Sequence, residues 1–262
     1  ETNDFGINEY NKSSARFIII DEVSMIDNFL LYSLLKGLGE NVKVVFVGDH
    51  NQLPSVGPGQ ILRDLIDSEK INVTYLDVLY RQQEKSYIIS LAHEINEGQL
   101  SLDYEEKQED YNFIECSRAE IKKVIVKLCE KAISKGYSYK NLQVLVPMYK
   151  GINGIDAINV VLQDVFNPPD KEKKELVYQG VTYREGDKVL QTKNNNDVNV
   201  SNGDIGIIKS IFKKDSKDKI IINFDNEEVT YSLKEFDDVR LGYAVSIHKA
   251  QGSEFDIVLI PM

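Results

Sequence analysis

Phe17-Ile18-Ile19-Ile20-Asp21-Glu22-Val23-Ser24-Met25 carries four apolar residues, three of them β-branched, straight into two adjacent carboxylates. An unbroken apolar run of this kind predicts a strand covered on both faces, the usual state of a central strand in a parallel sheet. Ligands of such sheets bind outside the carboxyl ends of the strands. Asp21 and Glu22 are thereby placed where one carboxylate can hold a divalent cation and the other can handle a water. Many buried strands also end in an acidic residue at an ordinary loop, so the pair alone does not decide the chemistry.

Downstream, Ile26, Leu30, Leu34 and Leu38 recur at helical spacing, and Gly37 and Gly39 end that helix. Residues 42–47 predict a second strand, closed by Gly48-Asp49. Strand, helix and strand within about 30 residues make a βαβ unit, so the two strands should be parallel neighbours. Asp49 then arrives at the same rim as Asp21 and Glu22. The next stretch, Gly48-Asp49-His50-Asn51-Gln52-Leu53-Pro54-Ser55-Val56-Gly57-Pro58-Gly59, reads as a loop stiffened by proline and able to approach a ligand closely at glycine. Gln52 offers both a donor and an acceptor to a phosphate oxygen or a water. An ordinary turn with a solvent-facing amide is the plainer alternative.

These two segments together resemble motifs II and III of superfamily 1B helicases. Within them they are most similar to the RecD-like enzymes, the family that includes the alpha subunit of exodeoxyribonuclease V. The resemblance implies an α/β fold of RecA-like, P-loop NTPase-like parallel-sheet motor domains, with ATP and Mg²⁺ as cofactors. Asp21 would be the Mg²⁺ ligand of a Walker-B element, Glu22 would activate the attacking water, and Gln52 would sense the γ-phosphate. Asp49 would lie at the nucleotide, and Pro54 and Ser55 on the DNA.

A third strand is predicted from Val73 to Leu76, leading to Tyr80-Arg81-Gln82. An arginine past a strand is most often a surface residue; the resemblance makes Arg81 an arginine finger that steadies charge in the transition state. Ile88, Leu91, Ala92 and Ile95 share a helix face that stops at Gly98, with His93 read as structural. Residues 103–110, with five acidic side chains and Lys107, read as a solvated loop. Ile121, Val124, Ile125, Leu128 and Ala132 mark a second amphipathic helix with Gly136 near its end, and residues 142–146 an apolar strand stopped by Pro147. This strand and helix look like the start of a second motor domain. Its stretch Val146-Pro147-Met148-Tyr149-Lys150-Gly151 is similar to a family loop that touches the DNA backbone, which makes Pro147 a DNA contact.

Pro168-Pro169 and residues 170–175 read as a charged linker, after which short apolar runs alternate with turns. The turns include Arg184-Glu185-Gly186-Asp187 and Ser201-Asn202-Gly203-Asp204, and the runs include residues 188–191, 205–208 and 219–224. Many short strands at this spacing predict a small β-barrel. RecD-like helicases carry such a barrel at this point, and Asn202 fits its DNA-contacting pattern. Lys209, Lys213, Lys214, Lys217 and Lys219 read as a solvated face.

Tyr243-Ala244-Val245-Ser246-Ile247-His248-Lys249-Ala250-Gln251-Gly252-Ser253-Glu254-Phe255-Asp256 resembles motif V. The resemblance places Ser246, His248 and Lys249 on DNA and Gly252 and Glu254 at the nucleotide. Residues 257–260 follow as a core strand. The implied division is 1–100 for part of a first motor domain, 101–175 with 240–262 for an incomplete second, and 176–239 for the inserted barrel.

Composition sets the outer limits. A chain of 262 residues, 42% hydrophobic and 28% charged, reads as an ordinary globular protein long enough for one large or two modest domains. No apolar run approaches the roughly 20 residues that span a bilayer. Nothing at the start reads as a signal peptide. Cys116 and Cys129 make neither a disulfide framework nor a zinc site and read as buried thiols of a cytoplasmic protein. The net charge of −11 argues against a broad basic surface for duplex nucleic acid, yet leaves room for a local channel holding one strand.

No Gly-Lys dipeptide occurs, so the phosphate-cradling Gly-x-x-x-x-Gly-Lys-Ser/Thr is missing, as is an arginine-bearing motif VI. The expectation is a fragment of a larger helicase that by itself binds ATP weakly and hydrolyses none. The leading reading is ATP-driven 5′–3′ translocation on single-stranded DNA in recombination and repair, and the resemblance implies nuclease or helicase subunits of an exodeoxyribonuclease V-type complex as partners. Alternatives are an inactive RecD-like module that binds DNA or a nuclease subunit, an RNA-directed superfamily 1B helicase, and a Mg²⁺ nuclease using Asp21, Glu22 and Asp49.

Overall fold

The computed structural model describes residues 5–76, 86–195, 197–212, 218–225 and 227–262. Contacts divide the chain into two compact units, Glu1–Ile114 and Glu115–Met262.

In the first unit, β1 (Phe17–Ile20), α1 (Asn28–Lys36) and β2 (Lys43–Phe46) form the expected βαβ unit, with the two strands parallel. Asp27 caps α1, its carboxylate accepting the Leu30 amide at 2.7 Å, and Gly37 closes it. Then come α2 (Ile61–Asp67) and α3 (Tyr87–Glu97). The core here is small: Val23, Ile26 and Ile61 are buried, with Ile20, Leu31, Phe46, Leu62 and Leu65 packed around them. Only one face of β1 meets that core. Phe17 and Ile19 are 56% and 62% exposed, so the expected double-sided burial is absent, because the helices that follow cover a single side of this two-stranded sheet.

Two further expectations change. Residues 73–76 form no strand; no neighbouring strand among the described residues offers them a ladder, and Leu76 stands 95% exposed. His93 is exposed on α3 instead of packed. The acidic loop at 103–110 is more ordered than a solvated run. Asp110 accepts the Ser86 hydroxyl at 2.6 Å and the Tyr87 amide at 3.2 Å, capping the start of α3. Asp103 accepts the Ser101 hydroxyl at 2.6 Å and the Tyr87 hydroxyl at 3.2 Å. Both carboxyls are held below the usual range, first by these serine hydroxyls.

The second unit begins with α4 (Ile121–Ser134), β3 (Leu142–Leu145) and α5 (Ile155–Phe166). After it come the hairpin β4 (Glu175–Tyr178) and β5 (Val181–Arg184), then β6 (Lys188–Gln191), β7 (Ile205–Phe212), β8 (Lys219–Phe224), β9 (Glu227–Ser232) and β10 (Val239–Leu241). β11 (Ala244–Val245) and β12 (Ile257–Leu259) return to the first layer. β3 lies between β11 and β12, parallel to both. The antiparallel sheet has the order β10-β6-β7-β8-β9. β12 is an edge strand that packs Ile257 and Leu259 on the core while Val258 on its other face is 42% exposed, so the expected core strand is buried on one face only. Nor do residues 168–175 behave as a free linker: Glu175 opens β4 and receives the Arg184 guanidinium at 2.7 Å, while Asp164 on α5 receives its other arm at 3.1 Å.

One continuous core joins the α/β layer to the antiparallel sheet, from Cys129, Val144 and Leu162 to Ile208, Ile220, Tyr231 and Phe236. Each such fully buried aliphatic side chain stabilises by roughly 1.5–3 kcal/mol. Cys129 is fully buried and its thiol is pushed up to about 12 by desolvation, whereas Cys116 is only half-buried, contrary to expectation.

Two buried charges sit at the seam. Asp187, read as part of an exposed turn, is fully buried. It accepts the Gln163 amide at 2.6 Å, the Asn167 amide at 2.7 Å, the Arg184 backbone N–H at 2.6 Å and the Tyr243 hydroxyl at 3.0 Å. Burial pushes its carboxyl up, and the donors pull it only part of the way back. Next to it, the Lys188 ammonium donates to Tyr139 O at 2.8 Å, Gln143 Oε1 at 2.9 Å and Leu142 O at 3.3 Å. None of these acceptors is ionised, so burial wins and lowers the ammonium to about 8 from 10.5.

The sign of the resulting pH dependence is definite. Below pH 8 both folded and unfolded chains carry the proton, and burying the ammonium opposes folding by roughly 3 kcal/mol. Between pH 8 and 10.5 the folded chain gives the proton up first, so stability rises with pH. Cys129 acts oppositely above pH 9, where an unfolded thiol ionises and the buried one does not. Wild-type stability relative to Lys188→Met should therefore increase by about 1 kcal/mol between pH 8 and 9. A pH-independent difference in denaturant unfolding would contradict this account.

Candidate functional site

The ladder between β1 and β2 continues one step beyond both strands. Val47 donates to Ile20 O at 2.8 Å, and Val23 donates to Val47 O at 3.0 Å. Asp21 and Glu22 span the gap between these two bonds, so a single residue of the neighbouring strand pins both sides of the pair. Glu22 occupies the left-handed region at φ 53°, ψ 40°, which costs a non-glycine residue roughly 1–3 kcal/mol and collects at functional positions. Asp21 Oδ1 accepts the Glu22 amide at 2.8 Å. Both side chains are exposed. Residues Val23–Met25 then turn tightly, burying Ser24, whose hydroxyl has no partner among the described residues. Sequence reasoning passed over Ser24, since nothing distinguishes a serine in a turn until its burial is seen.

Gly48 suits this close approach. A Cβ there would lie 3.0 Å from Leu62 Cδ2 and 3.1 Å from the Val23 nitrogen, so the loop after β2 packs directly on the turn after β1. Asp49 shapes the following turn, accepting the Asn51 amide on Oδ1 at 2.9 Å and the Gln52 amide on its carbonyl at 3.2 Å. Gln52 and Pro54 are exposed. Ser55 spends its hydroxyl internally, donating to Gly57 O at 2.9 Å and Gly59 O at 3.1 Å. Pro58 O accepts the Asn28 amide at 2.9 Å, tying the far end of the loop to the start of α1. Asp21, Glu22, Asp49 and Gln52 are thus gathered at the carboxyl rim of β1 and β2. Arg81 lies outside the described residues.

In the second unit the parallel strands likewise deliver their candidates to one rim. Val146 donates to Val245 O at 2.9 Å, so Pro147 after β3 and Ser246 after β11 leave the sheet side by side. The Tyr149 hydroxyl lies 3.5 Å from Ser246 Oγ. Residues Ile247–Ala250 form one tight turn, on which His248 is exposed. Lys249 is only half-exposed: its ammonium donates to Asn202 Oδ1 and, at 3.4 Å, to Thr192 O, and burial lowers its pKa. Two residues read separately as DNA contacts therefore touch each other, tying the loop before β7 to the turn after β11. Gly252 and Glu254 follow, both exposed. The lysine face retains an ion pair between Lys209 and Glu228, while Lys213, Lys214 and Lys217 lie outside the described residues. No helix among the described residues is long and apolar enough to cross a membrane.

Known proteins resemble the chain in both of its units. A family model described as "ATP-dependent RecD-like DNA helicase SH3 domain" matches residues 158–224, and one described as "AAA domain" matches residues 3–119. The ATP-dependent RecD2 DNA helicase of Deinococcus radiodurans is 32% identical over 255 residues, covering 97% of this chain and 33% of that protein. The RecBCD enzyme subunit RecD of Buchnera aphidicola subsp. Acyrthosiphon pisum is 27% identical over 302 residues, covering 94% of this chain and 49% of its own length. The chain thus spans a third to a half of these curated relatives. Bacteroides Pif1 bound to ssDNA superposes with a TM-score of 0.54 at 19% identity, over 94% of this chain and 64% of that one. Pif1 helicase from Bacteroides with ADP-AlF3 and ssDNA gives 0.55 at 18% identity over the same shares. These structural likenesses establish the fold, RecA-like parallel-sheet units with an SH3-type β element. Together the family models and these relatives support a RecD-like helicase of superfamily 1B.

Proposed function

We propose that this chain is part of an ATP-dependent 5′–3′ motor on single-stranded DNA, acting in recombination and repair, and that it carries the carboxylates of the nucleotide site and a grip on the strand. The observation that carries the reading is the rim of β1 and β2, where Asp21 and Glu22 are pinned on both sides by Val47 and locked against the Gly48–Gln52 turn. Residues 1–100 would belong to one motor domain, 101–175 with 240–262 to a second, and 176–239 to the inserted barrel. Attachment to nuclease or helicase subunits is part of the same proposal, supported by a relative that is a subunit of the RecBCD enzyme.

The residues present fit a Mg²⁺-nucleotide. Asp21 commits Oδ1 to the Glu22 amide and leaves Oδ2 for a cation, and Mg²⁺ takes only one or two protein carboxylates when phosphates and waters fill its shell. When bound, Mg²⁺ neutralises charge developing on the β- and γ-oxygens. Glu22 orients the attacking water and takes its proton, and Gln52 reads the γ-phosphate. Asp49, Gly252 and Glu254 approach the nucleotide, and Arg81 supplies charge to the transferring group. Pro54, Ser55, Pro147, Ser246 and His248 meet the strand, with Asn202 and Lys249 holding the barrel loop to the turn that bears His248. The nuclease alternative finds no such support: no group of three metal-capable side chains occurs among the described residues.

The test is ATP turnover by the full-length protein with and without a single-stranded oligonucleotide. Strand-stimulated turnover is expected. Strand binding with no turnover at all would replace the motor by a passive binding module.

A further inference from the structure

Between β3 and α5 the chain makes a loop whose backbone is fixed and whose side chains are not buried. Ile155 donates to Met148 O at 3.0 Å, Asp156 to Tyr149 O at 3.4 Å and Gly154 to Gly151 O at 3.1 Å. Asn153 Nδ2 donates to Arg118 O at 2.7 Å. A Cβ on Gly154 would lie 2.4 Å from Tyr149 O and 2.6 Å from Lys150 C, so only glycine lets the loop close this tightly. On this frame Met148, Tyr149 and Ile152 stand 54%, 55% and 61% exposed. Core packing gives no reason to hold three apolar side chains in water on a rigid loop.

Their surroundings narrow the partner. The Tyr149 hydroxyl meets Ser246 Oγ at 3.5 Å, and Lys150 and His248, both exposed, belong to the same two rim segments. The Ser246 hydroxyl, the His248 imidazole and the Lys150 ammonium suit phosphate oxygens. Three residues on one loop fall far short of the roughly 800 Å² per partner that a stable protein interface buries. Aromatic faces interleaved with phosphate-binding groups are, by contrast, the usual grip on an unpaired strand, because every base has a π-face.

From this we infer that Tyr149, flanked by Met148 and Ile152, is a stacking platform for an unpaired nucleobase, separate from the backbone contacts of Ser246 and His248. The inference rests on the single-strand reading given above and adds to it a contact with the base itself. Rigidity is what makes the platform effective, since a ring already held in place loses little freedom when a base settles on it.

Binding of two fluorescent oligonucleotides of equal length, oligo(dT) and a wholly abasic strand, to the protein and its Tyr149→Ala and Tyr149→Phe variants tests the platform. Tyr149→Ala should weaken oligo(dT) binding roughly tenfold and leave the abasic strand unchanged. The slope of log affinity against log salt should not move, because no phosphate contact is lost. Tyr149→Phe should bind as the wild type, since the ring and not the hydroxyl does the stacking. Equal losses on both strands would make Tyr149 a backbone contact and overturn the platform, as would an unchanged affinity for oligo(dT). Failure of the wild-type protein to bind either strand would overturn the nucleic-acid reading itself.

Discussion

Glu22→Gln is expected to lower ATP turnover by the full-length protein roughly 10²–10⁴-fold, the usual contribution of a positioned general base. That range corresponds to about 3–5 kcal/mol of barrier. The substitution keeps the shape of the side chain and removes only its capacity to take a proton. Because the side chain is exposed, folding stability should change little. Affinity for single-stranded DNA should persist, since the groups assigned to the strand are separate from Glu22. Steady-state turnover at saturating ATP and oligonucleotide measures the first effect, and equilibrium binding the second. Turnover within about threefold of wild type would remove Glu22 from the chemistry. The φ of 53° at this residue supports the assignment, because strain of this kind persists where the surroundings over-determine a conformation.

Asp187→Ala should be the most damaging substitution for folding. Removing the carboxylate leaves the Gln163 and Asn167 amides, the Arg184 backbone N–H and the Tyr243 hydroxyl without their acceptor. Stranding one buried polar group costs roughly 1–3 kcal/mol, and breaking a buried charged network costs on the order of 3–5 kcal/mol. A loss of that size is expected in denaturant unfolding. Asp187→Asn should lose less, because its carbonyl oxygen still accepts from some of these donors. An Asp187→Ala loss below about 1 kcal/mol would show that the network is incidental to the fold.

The first unit was readable from the sequence because its signals are local. Alternating helix and strand periods, Gly37 and Gly98 as stops, and the carboxylates after an apolar run all act within a few residues. Misread features depend on distant partners. Ile19 and Val258 look like core residues, yet burial requires an element on the far side of the sheet. Asp187 looks like the end of a surface turn and Lys188 like the start of a strand; apart from the Arg184 N–H, their donors and acceptors lie 20 to 56 residues away. Lys249 looks like a free cation until Asn202, 47 residues earlier, is brought alongside it. Spacing within a motif carries the candidate chemistry, whereas the choice of which polar side chains hold the structure together belongs to tertiary packing.

The register of β3 bears on how the protein is made. Val144 pairs with Ala244 on one side and Leu259 on the other, so its nearest strand partner is made about 100 residues after it. At the roughly 5–20 residues per second of synthesis, this central apolar strand waits on the order of 5–20 s with both edges open. During that interval Leu142, Val144 and Val146 are an exposed strand template of the kind that draws neighbouring chains into aggregates. Release of the nascent chain before β11 emerges would leave that template permanently unpaired.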